Sequence, residues 1–190
     1  FLCDSGGQYK YGTTDVTRTI CFENQNKKIK DIFTNVLKGH IAVAQTDLNK
    51  KKTGKLIYKD ARKFLRKQHL DYSHGTGHGV GFFLNVHEGP QSISKSNSVK
   101  IQKGMILSNE PGYYKKDKFG IRIENLVYVK KIGRKLGFEN LTLAPIEKEL
   151  INFNLLTKKE KNYLFNYHLK YRIYKRRNST SLGKYYQGSK

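Results

Sequence analysis

Cysteine is scarce in this chain: Cys3 and Cys21 are the two thiols among 190 residues, too few for a disulfide scaffold and suited to a reducing cytosol. Long apolar runs are missing, so no segment has the length to cross a bilayer as a helix, and the first residues do not read as a charged-then-apolar leader. The chain opens on Phe1, inside what reads as a strand, so it is expected to be a piece of a longer or processed polypeptide. A cytoplasmic location and no membrane partner are expected on the same grounds. Acidic residues are few as well, 15 against 37 Lys+Arg, for a net charge of +22. Such a balance suggests nucleic acid or an anionic surface as partner. Ten basic residues and one acidic between Lys158 and Lys190 hold +9 of it, however, and much of the rest is single lysines on helix and loop surfaces. With no recognisable RNA or DNA module, no specific nucleic acid is expected.

What is present is enough for one globular domain with a tail: 37% hydrophobic and 12% aromatic residues can build a core. Its most unusual stretch is Ser73-His-Gly-Thr-Gly-His-Gly-Val-Gly-Phe-Phe-Leu-Asn-Val-His-Glu-Gly-Pro90. Glycine at every second position from Gly75 to Gly81 weakens a helix by up to about 1 kcal/mol per residue and gives a strand no side chains to pack. Something other than local propensity must fix this run. A ligand or metal is the first candidate, because glycines let backbone approach a bound group, while His74, His78 and His87 offer imidazole as ligand, acid or base. The alternative is a Gly-rich loop with incidental histidines, since spacings of four and nine match no single-helix metal motif.

Phe1 to Phe22 reads as a hairpin of two extended segments, with Asp4 ending the first and Asp15 inside the β-rich run Thr13-Thr-Asp-Val-Thr-Arg-Thr19. Pairing them can bring both carboxylates together, although Asp beside Gly is also an ordinary turn residue. Apolar positions at three and four predict a helix from Asn26 to about Leu48, with His40 packed near its apolar face, and a second from about Leu56 to Leu70. Ser92 to Lys100 is polar and loop-like. Gly104 to Gly112 reads as a buried strand stopped by Pro111, with Glu110 at its end. Phe119 to Val129 reads as a further strand whose alternation puts Arg122 and Glu124 on one face, Ile121 and Ile123 on the other. Thr157-x-x-Glu160 is a capping box opening a helix to about Lys175, after which residues 176–190 read as a disordered basic tail.

Asp4, Asp15, His78, Glu110 and Glu124 thus stand at strand ends or in strands, where titratable groups need partners. Four carboxylates and one imidazole suit two divalent cations, with Mn²⁺, Co²⁺ or Zn²⁺ favoured by mainly hard oxygen ligands. A set of unrelated ion pairs is the competing reading of the same residues.

The motifs Asp4-Ser-Gly-Gly-Gln-Tyr, Gly12-Thr-Thr-Asp-Val-Thr-Arg-Thr19, His74-Gly-Thr-Gly-His-Gly-Val-Gly81, Asn85-Val-His-Glu-Gly-Pro90, Asn109-Glu-Pro-Gly-Tyr-Tyr114 and Gly120-Ile-Arg-Ile-Glu-Asn125 resemble, in order, the aminopeptidase P branch of the pita-bread metallopeptidases. The resemblance runs from Phe1 to about Tyr174. It implies an α+β fold, the C-terminal portion of a pita-bread domain in which a curved, mostly antiparallel sheet is flanked by helices. Residues 1–175 would form its metal-bearing part, and 176–190 the tail. The family's upstream half of that domain, its earlier domains and a further histidine before the Asp4 strand have no counterpart here.

The resemblance also implies site roles. Asp4 would bind one metal, Asp15 and Glu124 would bridge both, and His78 and Glu110 would complete the other, with Mn²⁺ expected and Zn²⁺ or Co²⁺ as alternatives. Glu110 would accept a proton from the attacking water, His87 would pass it to the leaving amine, His74 would line a proline pocket and Arg122 would orient Glu124. The implied activity is release of the first residue from peptides with proline second, by an enzyme that forms homodimers through regions outside this chain. Xaa-Pro dipeptidase activity and a non-catalytic binding module are the alternatives.

Overall fold

The β-forming residues of the N-terminal segment fold back at Lys10-Tyr11, so that β1 (Leu2–Tyr9) pairs antiparallel with β2 (Gly12–Thr19). The computed structural model describes residues 1–83 and 85–187, with side chains as far as residue 178. Sequence reading ends the first segment at Asp4, but the strand runs on through Ser5-Gly6-Gly7, because ladder hydrogen bonds need only backbone. Asp4 lies opposite Thr17 and Gly6 opposite Asp15. With a period of two, Asp4, Asp15 and Thr17 therefore share one face of the hairpin.

Helix α1 (Lys27–Ala44) starts where the Asn26 side chain accepts the Ile29 N–H at 3.0 Å, an N-cap that satisfies one of the four free donors. It buries Ile32, Phe33, Val36, Leu37 and Ile41. Helix α2 (Gly54–Arg66) buries Ile57, Ala61 and Leu65. It stops short of Leu70 because His69 takes a left-handed φ of 57°, which ends helical hydrogen bonding. The two helices pack on each other and over the strands that follow.

Those strands are β3 (Gly77–His78), β4 (Ser92–Ile93), β5 (Ile106–Asn109), β6 (Gly112–Lys115), β7 (Phe119–Arg122), β8 (Asn125–Ile132) and β9 (Lys135–Asn140). Every pairing is antiparallel: β3 with β4, β6 with β7, and β8 between β5 and β9. The segment 119–129, one strand by sequence alternation, is two strands broken at Ile123-Glu124. Opposite it, Glu110-Pro111 separates β5 from β6. Asn109 pairs with Asn125 on one side of the break and Gly112 with Arg122 on the other, and the Ile123 N–H still reaches the Pro111 carbonyl at 3.3 Å. Register therefore survives the interruption, and Glu110 stands opposite Glu124.

The capping box forms as the sequence predicts. The Thr157 N–H donates to Glu160 at 2.8 Å and the Glu160 N–H to the Thr157 hydroxyl at 3.3 Å. The helix it opens, α3 (Lys158–Gln187), passes the expected end near Lys175, since no proline or glycine between Lys158 and Leu182 interrupts it. Residues 188–190 of the expected tail lie outside the described residues. The whole is an α+β fold of antiparallel ladders flanked by helices.

Candidate active site

Glu110 and Glu124 face each other at the paired strand break, and like charges directly across a ladder repel. Next to them, β2 places Asp15 and β3 places His78. His78 Nε2 lies 3.3 Å from Asp15 Oδ2 and 3.2 Å from Glu110 Oε1. Ligand atoms of Asp15, His78 and Glu124 all fall within 4.8 Å of one another. The glycines around His78 make this approach possible: a Cβ on Gly77 would collide with the Ser108 carbonyl, and one on Gly79 with that of Glu88. The Gly-rich run is thus shaped by close backbone contact.

Burial comes first among the causes that push the Glu124 carboxyl up to about 8, and the charges of Glu110 and Asp15 add to it against the Thr17 hydrogen bond and Arg122. Burial would lower His78, yet its hydrogen bonds to Asp15 and Glu110 prevail and push it up to about 10. Burial and the neighbouring acids thus act together on Glu124, while the same acids hold the proton on His78, and carboxylates crowded in this way suit divalent cations. The donor set, carboxylate oxygens with one imidazole, fits the same conclusion.

Asp4 faces the hollow from β1 but is more exposed, and its carboxylate pairs with the Arg122 guanidinium. Arg122 reaches Glu124 through Thr17: Nε donates to the Thr17 hydroxyl at 2.9 Å, and that hydroxyl donates to Glu124 Oε2 at 2.6 Å. The expected orientation of Glu124 by Arg122 is therefore indirect. His87, on the loop after β3, sets its ring edge-on to His78 with centroids 4.1 Å apart. His74 pairs with the Tyr114 hydroxyl at 2.9 Å and lies beside the Tyr72 ring. Asp4, Asp15, His78, His87, Glu110 and Glu124 line a hollow of about 330 Å³. An adjoining one of about 460 Å³ adds His74 and Arg122.

Sequence reading missed several supporting residues. Thr17 and Ser108 were within its reach, each two positions from a singled-out acid and so on the same strand face. Ser108 accepts the His78 N–H at 2.9 Å and donates to Glu110 Oε1 at 2.8 Å. Tyr114 and Arg18 had no such signal. Arg18 is buried on the other face of β2, where it donates to the carbonyls of Glu124, Ala144 and Pro145.

A hollow that crowds carboxylates onto the His78 imidazole is the arrangement of a divalent-metal hydrolytic centre. The chain belongs to metallopeptidase family M24, whose model matches residues 1–131, followed by the family's C-terminal region over residues 134–177. It is 50% identical over 179 residues to the probable Xaa-Pro aminopeptidase P of Laccaria bicolor, covering 88% of this chain and 28% of that protein. It is 47% identical over 177 residues to Xaa-Pro aminopeptidase 1 of Dictyostelium discoideum, again covering 88% and 28%. Among solved structures, an X-prolyl aminopeptidase from Caenorhabditis elegans, described as a cytosolic enzyme with a di-nuclear active site, aligns with a TM-score of 0.82 at 41% identity, over 90% of this chain and 29% of that one. The chain spans less than a third of the length of these curated relatives. Family membership and the donor set together support a centre for two divalent metals.

Proposed function

We propose that this chain is the metal-bearing part of a Xaa-Pro aminopeptidase, which hydrolyses the N-terminal Xaa-Pro bond and releases the first residue from peptides with proline second. Glu110 opposite Glu124, with His78 and Asp15 against them, is the observation that carries the reading. Asp4, Asp15, His78, Glu110 and Glu124 would hold two cations, Mn²⁺ in the first place and Zn²⁺ or Co²⁺ as alternatives. The chemistry such cations supply when bound is Lewis-acid polarisation of a carbonyl and hydroxide at neutral pH.

The protein's own groups handle protons and orientation. Glu110 Oε1 is engaged by Ser108 and His78, which leaves Oε2 to take the proton of the attacking water. A proline amide nitrogen carries no hydrogen and has to be protonated as it leaves, and His87, exposed at the rim and against His78, is the group suited to deliver that proton. His74, held by Tyr114, would line the side of the hollow that takes the proline ring. Arg122 holds Asp4 directly and Glu124 through Thr17. Residues 1–175 would make up this part of the catalytic domain, with 176–190 beyond it. A cytoplasmic location, in line with the description of the nematode enzyme as cytosolic, and a homodimer formed through regions outside this chain complete the proposal.

The test compares cleavage of Xaa-Pro-Xaa, Xaa-Ala-Xaa and the Xaa-Pro dipeptide by the metal-loaded protein. The tripeptide with proline should be cleaved best, and His87→Ala should lower kcat about 10²–10⁴-fold with little change in KM. Equal cleavage of the alanine peptide would overturn proline specificity. Preference for the dipeptide would move the assignment to a dipeptidase.

A further inference from the structure

His40 on α1 is fully buried and forms no part of the hollow, yet it touches both acid-bearing segments. Its Nδ1 lies 3.1 Å from the Asn109 carbonyl oxygen and 3.2 Å from that of Ile123. In return the Asn109 side-chain amide donates to the His40 carbonyl at 3.0 Å. Those two carbonyls belong to the peptide groups whose nitrogens are Glu110 and Glu124. The other ends of the same peptide groups are held too: the Glu110 N–H donates to Thr76 at 2.8 Å and the Glu124 N–H to Thr17 at 3.1 Å. At the strand break, where ladder hydrogen bonds run out, one imidazole spans both sides.

We infer that His40 is a positioning residue that sets Glu110 and Glu124 opposite each other by fixing both preceding peptide planes from α1. The inference rests on the metal-centre part of the proposed function and not on the choice of substrate. Two carbonyl acceptors at Nδ1 require the tautomer with its proton there, and the Nε2 atom is buried without a partner. Burial first, then the Arg18 charge, hold the ring down at about 3 against those two hydrogen bonds, so it stays a neutral donor through the working pH range. His40 is therefore neither a ligand nor a base. A centre of this kind needs its groups fixed to within about 0.5 Å, and a shared donor fixes the two acids relative to one another.

The experiment titrates Mn²⁺ calorimetrically into the metal-free protein and measures kcat and KM for a Xaa-Pro peptide, in wild type and three variants. His40→Leu removes the donor and should weaken Mn²⁺ binding about 10–100-fold, with a fall in kcat and a nearly constant KM. His40→Asn puts an amide N–H where Nδ1 stands and should recover most of that loss. His40→Gln carries its amide out to the Nε2 position, where no acceptor waits, and should behave like the leucine variant. Wild-type Mn²⁺ affinity in His40→Leu would overturn the inference. So would equal behaviour of the asparagine and glutamine variants, which is also the comparison that decides should the leucine variant fail to fold. A wild type that takes up no Mn²⁺ would overturn the metal-centre reading and this inference with it. One that binds Mn²⁺ but spares Xaa-Pro bonds would overturn only the substrate, leaving the affinity series to decide on His40.

Discussion

The Thr17 hydroxyl bridges the Arg122 guanidinium and the Glu124 carboxyl, donating to Glu124 and accepting from Arg122 Nε. It is fully buried, so no water can take over either bond if it is lost. Thr17→Val keeps the shape and removes the bridge. Metal affinity or kcat is expected to fall about tenfold, within the range seen when a partner of a metal-holding side chain is lost, while Thr17→Ser should restore most of it. Metal titration and steady-state kinetics on the pair would check this. An unaffected valine variant would mean that packing around Glu124 suffices to hold it. At this scale much was legible in the sequence: an aspartate inside a β-rich run and two glutamates beside apolar strands have no cheap structural explanation. Arg18 and Tyr114 were not legible. Their roles depend on which segments lie across from them, and no local pattern encodes that.

Between elements, the strand break at Ile123-Glu124 shows why alternation misleads. Ile121-Arg122-Ile123-Glu124 keeps a strict period of two and its faces come out as expected, Ile121 and Ile123 buried in the core and Arg122 and Glu124 toward Thr17. Pairing nevertheless changes there, because the Glu124 N–H turns to Thr17 of β2 and its carbonyl to Arg18. Strands β3, β4, β6 and β9 are missed too: β3 and β4 are two residues each, in a Gly-rich run and in the stretch from Ser92 that reads as loop, and at β6 Pro111 reads as a terminus when it only punctuates a continuing ribbon. Arg18 links this break to α3: its Nη2 donates to the Tyr167 hydroxyl at 3.0 Å, and that hydroxyl donates to the Ala144 carbonyl at 2.6 Å. Tyr167→Phe should lower stability by about 1–2 kcal/mol, the scale of a buried hydrogen bond left unmade. Turnover should hold, because Arg18 keeps its bond to the Glu124 carbonyl. Thermal unfolding beside kcat would check both halves; a turnover loss as large as the stability loss would tie α3 to catalysis directly.

For the molecule as a whole, acid and metal act on neighbouring groups, His40 on one side of the strand break and the facing glutamates on the other. His40 binds a proton near 6.5 when unfolded and at about 3 when folded, so the unfolded state takes up the extra proton between those values. The stability contribution is complete above 6.5 and declines as pH falls toward 3, by about 2 kcal/mol at pH 5. His40→Asn should flatten this limb of a Tm-against-pH profile, and an unchanged limb would assign it to the carboxylates instead. Metal should stabilise two forms of the protein unequally. Without cations, Glu110 opposes Glu124 with Asp15 close by, and this repulsion is part of what raises the Glu124 pKa. Glu124, pushed up to about 8, is mostly protonated at neutral pH without cations, and Glu124→Gln fixes that neutral form while keeping an oxygen to accept from Thr17. The metal-free variant should therefore be at least as stable as the metal-free wild type. With metal the order should reverse, because a ligand bound at 100 times its dissociation constant adds about 2.7 kcal/mol to the wild type and much less to a variant that binds it poorly. Melting curves of both proteins, each with chelator and with excess Mn²⁺, give four values and one required crossing. If Glu124→Gln is less stable in chelator and still gains as much from Mn²⁺ as the wild type, the facing glutamates are an ordinary polar contact and the metal centre lies elsewhere.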